Sequence, residues 1–88
     1  MIEKNAVVNI QVGLYARPAT FFVYRANQFA SNIWIEKDEK RVHAKSLLGV
    51  LSLSVANGTE VKLIADGADA AEAVDALAAL LATETGEL

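Results

Sequence analysis

The sequence predicts an α+β open-faced sandwich of four strands and three helices, and three observations carry that prediction. Four short runs alternate apolar with polar residues and so offer a single strongly apolar face each. Between and after them lie segments whose apolar residues recur at helical spacing. The resulting order, β-α-β-β-α-β-α, leaves one sheet face for helices to cover and the other open. At 88 residues the chain fits one domain spanning 1–88, large enough to bury roughly 60% of the surface of its unfolded state.

The first run places Ala6, Val8, Ile10 and Val12 on one side and Asn9 and Gln11 on the other, with Gly13 ending the strand. A helix starting near Ala16 fits Phe22, Ala26 and Phe29 on one stripe. Pro18 is tolerated there because a first-turn residue needs no N–H partner. Ile33 and Ile35 alternate with Trp34 and Glu36, Lys37-Asp38-Glu39-Lys40 makes a polar turn, and Arg41 to Ala44 returns as a hairpin partner. Ser46 stands before Leu47-Leu48-Gly49-Val50-Leu51 as the N-cap of a short helix that Asn57-Gly58 is expected to close. Val61, Leu63 and Ala65 form the fourth strand, and Asp66-Gly67 turns the chain. Asp69 with Glu72 three residues on reads as a capping box opening an alanine-rich helix with Val74, Leu77 and Leu81 on one stripe.

Composition excludes several function classes. With no cysteine there is neither a disulfide framework nor a thiolate metal site, and one histidine among scattered carboxylates gives no metal-ligand cluster and no cofactor site. No Ser/His/Asp or Cys/His set can be assembled and no phosphate-binding glycine motif is present, so intrinsic enzymatic activity is not expected. No apolar run approaches the length that spans a bilayer. The start Met-Ile-Glu-Lys lacks a signal-peptide layout, so a cytoplasmic protein without membrane contact is expected. A net charge of −3 argues against direct binding of nucleic acid. The charge is asymmetric: after Lys62 every ionisable side chain is acidic, while Arg17, Arg25, Lys37, Lys40, Arg41 and Lys45 sit earlier. The earlier part therefore forms a more basic side suited to an anion or an acidic partner, or it is ordinary solvated charge.

The segment Gly13-Leu14-Tyr15-Ala16-Arg17-Pro18-Ala19 is a strand-to-helix loop whose helix start and Arg17 favour a phosphate. It resembles the phosphocarrier loop of HPr, the histidine-containing protein of bacterial sugar phosphotransferase systems, and the resemblance runs element by element along the chain. It implies an HPr-like fold with an antiparallel sheet, and a phosphocarrier histidine where this chain has Tyr15. A phosphohistidine passes its phosphoryl group on through a labile P–N bond, whereas a tyrosine ester is stable, so Tyr15 is expected to break the relay. No neighbouring general base activates its hydroxyl. His43, the sole histidine, falls on the polar face of its strand, away from a helix terminus, and is not a substitute.

A second segment, Lys45-Ser46-Leu47-Leu48-Gly49-Val50-Leu51, resembles the stretch that HPr kinase/phosphorylase modifies on serine in HPr and in Crh-type relatives, which lack the loop histidine. By that resemblance Ser46 is the regulatory phosphorylation site, and otherwise it is a plain capping serine. Leu47, Leu48 and Leu51 cannot all point inward on so short a helix, so part of the set forms an exposed patch, or else they belong to the core. The resemblance makes Arg17, Lys45, Leu47, Leu48 and Leu51 partner contacts. The function implied is a non-catalytic regulator, phosphorylated on Ser46 and serving as corepressor for a LacI-type catabolite control transcription regulator in carbon catabolite repression. The alternative is a phosphocarrier HPr whose active-site histidine has been replaced by Tyr15.

Overall fold

The computed structural model describes residues 1–87. Its elements are β1 (Ile2–Val7), α1 (Ala16–Asn27), β2 (Asn32–Lys37), β3 (Lys40–His43), α2 (Leu47–Ser52), β4 (Glu60–Asp66) and α3 (Ala70–Ala82), which is the expected order. The strands form one antiparallel sheet in the order β1-β4-β2-β3. All three helices lie on one side: α3 runs along β1, β4 and β2, α1 packs beside α3, and α2 bridges α1 and β3.

The register explains the single covered face. Pairing Ile35 with Val42 and with Leu63 stacks every second residue of β2, β3 and β4 toward the helices. Ile33, Ile35, Val61, Leu63 and Ala65 are buried there against Phe22, Ala26, Val74, Leu77 and Leu81. The opposite face carries two polar-edged rows, Glu3-Ile64-Trp34-His43 and Asn5-Lys62-Glu36-Arg41, aligned across the four strands. Ile64 is fully buried although it lies on that open face. Its cross-strand partner there is Trp34, a large neighbour on the same row. The β2–β3 connection is a two-residue turn with both Asp38 (φ 50°) and Glu39 (φ 67°) left-handed, the geometry that matches the twist of a hairpin.

Three local expectations are corrected. The first strand lies at Ile2–Val7 rather than Ala6–Val12: it is an edge strand held by its ladder with β4, not by burial. Val8 and Ile10 do enter the core. Their stretch, however, has left the ladder: Asn9 N–H donates to the Leu81 carbonyl at 2.8 Å and Gln11 N–H to that of Glu84 at 2.8 Å. Val12 sits exposed in the turn that follows. Second, α2 ends at Ser52, not at Asn57-Gly58. Those two residues instead brace the outgoing β1 chain, Asn57 Nδ2 donating to the Ile10 carbonyl (3.0 Å) and Gly58 N–H to that of Val8 (2.7 Å).

Third, Asp69 precedes α3 but makes no side-chain cap. Its carboxylate reaches across to the α1–β2 connection, accepting the Ser31 hydroxyl, the Ala30 N–H (2.9 Å) and the Ser31 N–H (3.0 Å). A capping pattern thus lost to a tertiary contact with more donors. These bonds, the Ser31 hydroxyl foremost and then the Ala30 N–H, hold the Asp69 carboxyl below its ordinary value of 3.8. Because the folded value is the lower one, the carboxylate stabilises the fold above 3.8, and that contribution disappears as the pH falls through the folded value. Asp69→Asn is therefore expected to lower the urea midpoint at neutral pH, and the gap to the parent should close as both are titrated below 3.8. A gap independent of pH would contradict the ionic role.

No helix among the described residues is long and apolar enough to cross a membrane.

Candidate functional site

The loop before α1 is shaped by its glycine. Gly13 is left-handed (φ 81°), and a Cβ there would stand 2.9 Å from both the Tyr15 ring and the Val55 carbonyl, so no other residue fits without displacing them. Leu14 is buried, and its N–H donates to the same Val55 carbonyl at 2.8 Å. Anchored from below, the chain presents Tyr15 as the extended N-cap residue of α1 with its side chain making no cap bond. Ala16 follows at φ 50°, a conformation that costs an L-residue roughly 1 kcal/mol and persists only where the surroundings impose it. The Ala16 and Arg17 N–H groups find no backbone acceptor among the described residues, and Pro18, buried in the first turn, has no N–H to offer.

Arg17 is 81% exposed, lies 5.9 Å from the Phe21 ring and pairs with Glu87 at 3.6 Å. That acid arrives by a feature the sequence reading missed. Beyond α3 the chain turns back: Gly86 N–H donates to Thr83 Oγ1 at 2.9 Å, and Gly86 packs so closely on Pro18 and Ile10 that a Cβ would meet Pro18 at 2.7 Å. A glycine four residues past the end of a helix was the available signal.

The second part of the site is α2. Ser46 is its extended N-cap, exposed, with Oγ accepting the Gly49 N–H at 3.1 Å, as its position in the sequence requires. A Cβ on Gly49 would press on this oxygen at 3.3 Å and on the His43 carbonyl at 3.4 Å. Val50 is the residue of α2 that is buried, Leu51 is half-buried against the core, and Leu47 (39%) and Leu48 (82%) face solvent. The leucine set therefore splits between anchor and surface. Lys45 is not a free cation: its Nζ donates to the Phe29 carbonyl at 2.8 Å, while Asn27 Nδ2 bonds the Lys45 carbonyl at 3.3 Å. These contacts tie the approach to Ser46 onto the end of α1, so that Arg17 and Ser46 sit on two helices that touch.

His43 lies exposed on the open sheet face, paired across the strands with Trp34 and with ring centroids 6.1 Å apart. No group of three potential metal ligands occurs among the described residues.

The family model for the PTS HPr component phosphorylation site matches residues 2–83. The chain belongs to the HPr family. The HPr-like protein Crh of Bacillus subtilis is 49% identical over 84 residues, covering 96% of this chain and 99% of Crh. Among solved structures, HPr-C-His of Thermoanaerobacter tengcongensis superposes with a TM-score of 0.93 at 46% identity, over 100% of this chain and 99% of that one. The crystal structure of Bacillus subtilis Crh, described as a dimer with a swapping domain, superposes with a TM-score of 0.76 at 49% identity, covering 96% and 97% of the two chains. The HPr fold expected from the sequence is thus present, in a chain similar both to HPr and to Crh. Members of this family carry phosphate rather than catalyse, and this chain is not an enzyme.

Proposed function

We propose that this HPr-family chain is a cytoplasmic regulator of the Crh type, switched by phosphorylation of Ser46. The observation that carries the reading is the pairing of an exposed Ser46 hydroxyl with a tyrosine at the phosphocarrier position. HPr kinase/phosphorylase would direct Ser46 Oγ onto the γ-phosphorus of ATP. The bond to the leaving ADP breaks, an ester P–O bond forms, and the hydroxyl proton passes to the kinase's base. Because Oγ already accepts the Gly49 N–H, the added phosphate meets a donor in place, and its charge of about −1.5 to −2 lies at the favourable end of the helix. The fold is kept and a new charged surface is made.

That surface serves as corepressor for a LacI-type catabolite control transcription regulator, so contact with DNA is indirect. Phospho-Ser46 supplies charge-assisted bonds to a basic pocket, and Leu47 and Leu48 supply exposed apolar contact, with Arg17 at the start of the touching helix. Leu51, half-buried, contributes through its edge, and Lys45 holds the segment in place.

Ser46→Ala tests this reading. After incubation with kinase and ATP, the native chain should bind the regulator at least tenfold more tightly than before treatment, the scale of one or two charge-assisted bonds. The Ser46→Ala chain should show no gain. Equal gains in both would overturn the reading.

A further inference from the structure

The geometry points to Lys37, assisted by Lys40, as the positioning residue that sets the end of α2 and thereby the presentation of Ser46 and the exposed leucines. The inference rests on the docking role given to α2 above. Its basis is an accounting of backbone carbonyls, each of which needs a partner at a helix C-terminus. Ser52 Oγ donates to the Gly49 carbonyl at 2.6 Å, the Leu53 N–H to that of Val50 at 3.2 Å, and the Ser54 N–H to that of Leu51 at 3.3 Å. The next three carbonyls are served from outside the helix. Lys37 Nζ donates to Leu53 at 3.1 Å and to Ser54 at 2.9 Å, and Lys40 Nζ to Ser52 at 3.4 Å.

A second observation explains why external donors are needed. Helices commonly finish on a glycine in the left-handed region, and α2 finishes instead with Ser54 at φ 53°. A side chain in that conformation is held only when its surroundings over-determine it. Lys37 grips the carbonyls of the peptides on both sides of Ser54, and α2 has no basic residue of its own in its last turn. The two lysines flank the tight β2–β3 turn, so the rigid hairpin places their ammonium groups against the negative end of the helix dipole. Two turns of helix cannot hold their own geometry in water. With Val50 as their sole fully buried residue, the hairpin clamp fixes the end of α2 as the Lys45 and Asn27 contacts fix its start, and the two together set the direction in which the Leu47 and Leu48 side chains are offered.

Amide hydrogen exchange on the full chain tests the clamp independently of any partner. In Lys37→Gln, the Leu53 and Ser54 amides should exchange about fivefold or more faster while the sheet amides of Ile35 and Leu63 keep their rates, the signature of local rather than global opening. Lys37→Arg, whose fork can reach both carbonyls, should restore the native rates, and Ser54→Gly should shrink the effect of Lys37→Gln because the strained residue is gone. A uniform acceleration of all amides, or none, would overturn the positioning role. In parallel, the kinase-treated Lys37→Gln chain should bind the catabolite control regulator about threefold to tenfold more weakly than the treated native chain, with Lys37→Arg restoring it. Altered α2 exchange with unchanged affinity would overturn the link to docking. Failure of the native chain to bind the regulator at all would instead overturn the corepressor reading, leaving the exchange data to judge the clamp.

Discussion

With enzyme I and phosphoenolpyruvate, Tyr15→His should take up about one phosphate per chain where the parent takes none. The residues around Tyr15 are arranged for an anion: Leu14 is locked beneath it, the Ala16 and Arg17 N–H groups find no backbone acceptor among the described residues, and Arg17 is exposed beside them. An imidazole placed there has the donors and positive field that a phosphoryl group needs. One competitor is present, the Glu87 carboxylate at 3.6 Å from Arg17. An ion pair this exposed is worth less than about 1 kcal/mol, which slows occupancy of Arg17 by phosphate at most a few-fold and does not prevent it. Intact mass and phosphate mapping report the result. A Tyr15→His chain that stays unlabelled would mean that the loop has lost more than its nucleophile.

Phe22→Ala should cost about 3–5 kcal/mol of folding free energy, the range for emptying an aromatic site in a core. Phe22 is fully buried and lies on the face of α1 that packs into the shared core with the sheet and α3. A domain of this size has roughly 5–10 kcal/mol in total, so the variant should be partly unfolded at moderate temperature and its urea midpoint should fall by about 30% or more with an unchanged slope. A loss below about 1 kcal/mol would show that the site collapses around the missing ring.

The sequence and the structure agree where one residue's neighbours along the chain determine its environment. Ile33 and Ile35, or Val74, Leu77 and Leu81, declare a buried face by spacing alone, and Ser46 caps the helix it precedes because the Gly49 N–H is three residues away. They part where a distant segment wins a local competition. Asp69 carries a capping pattern, but Ala30 and Ser31, nearly forty residues earlier in the chain and brought alongside by the pairing of β2 with β4, bring three donors to its carboxylate. The β1 edge strand has no apolar alternation to reveal it and is placed by its ladder with β4 and by α3 alongside, while Val8 and Ile10, which do alternate, are buried outside that ladder. The lysine clamp on α2 was hidden for a related reason: Lys37 and Lys40 bond to backbone carbonyls, which every residue possesses, so nothing in the identity of Ser52, Leu53 or Ser54 announces the contact. At the site itself, the motif gave the positions of Tyr15, Arg17 and Ser46, and the fold added what holds them: Gly13 under the tyrosine ring, Gly86 on Pro18, and Lys45 on the end of α1.

The most direct test of the proposed switch is the intact mass of the native chain after two separate incubations, one with HPr kinase/phosphorylase and ATP, the other with enzyme I and phosphoenolpyruvate. The regulatory account predicts one phosphate in the first, mapped to Ser46, and none in the second. Labelling by enzyme I, or no labelling by the kinase, would contradict it.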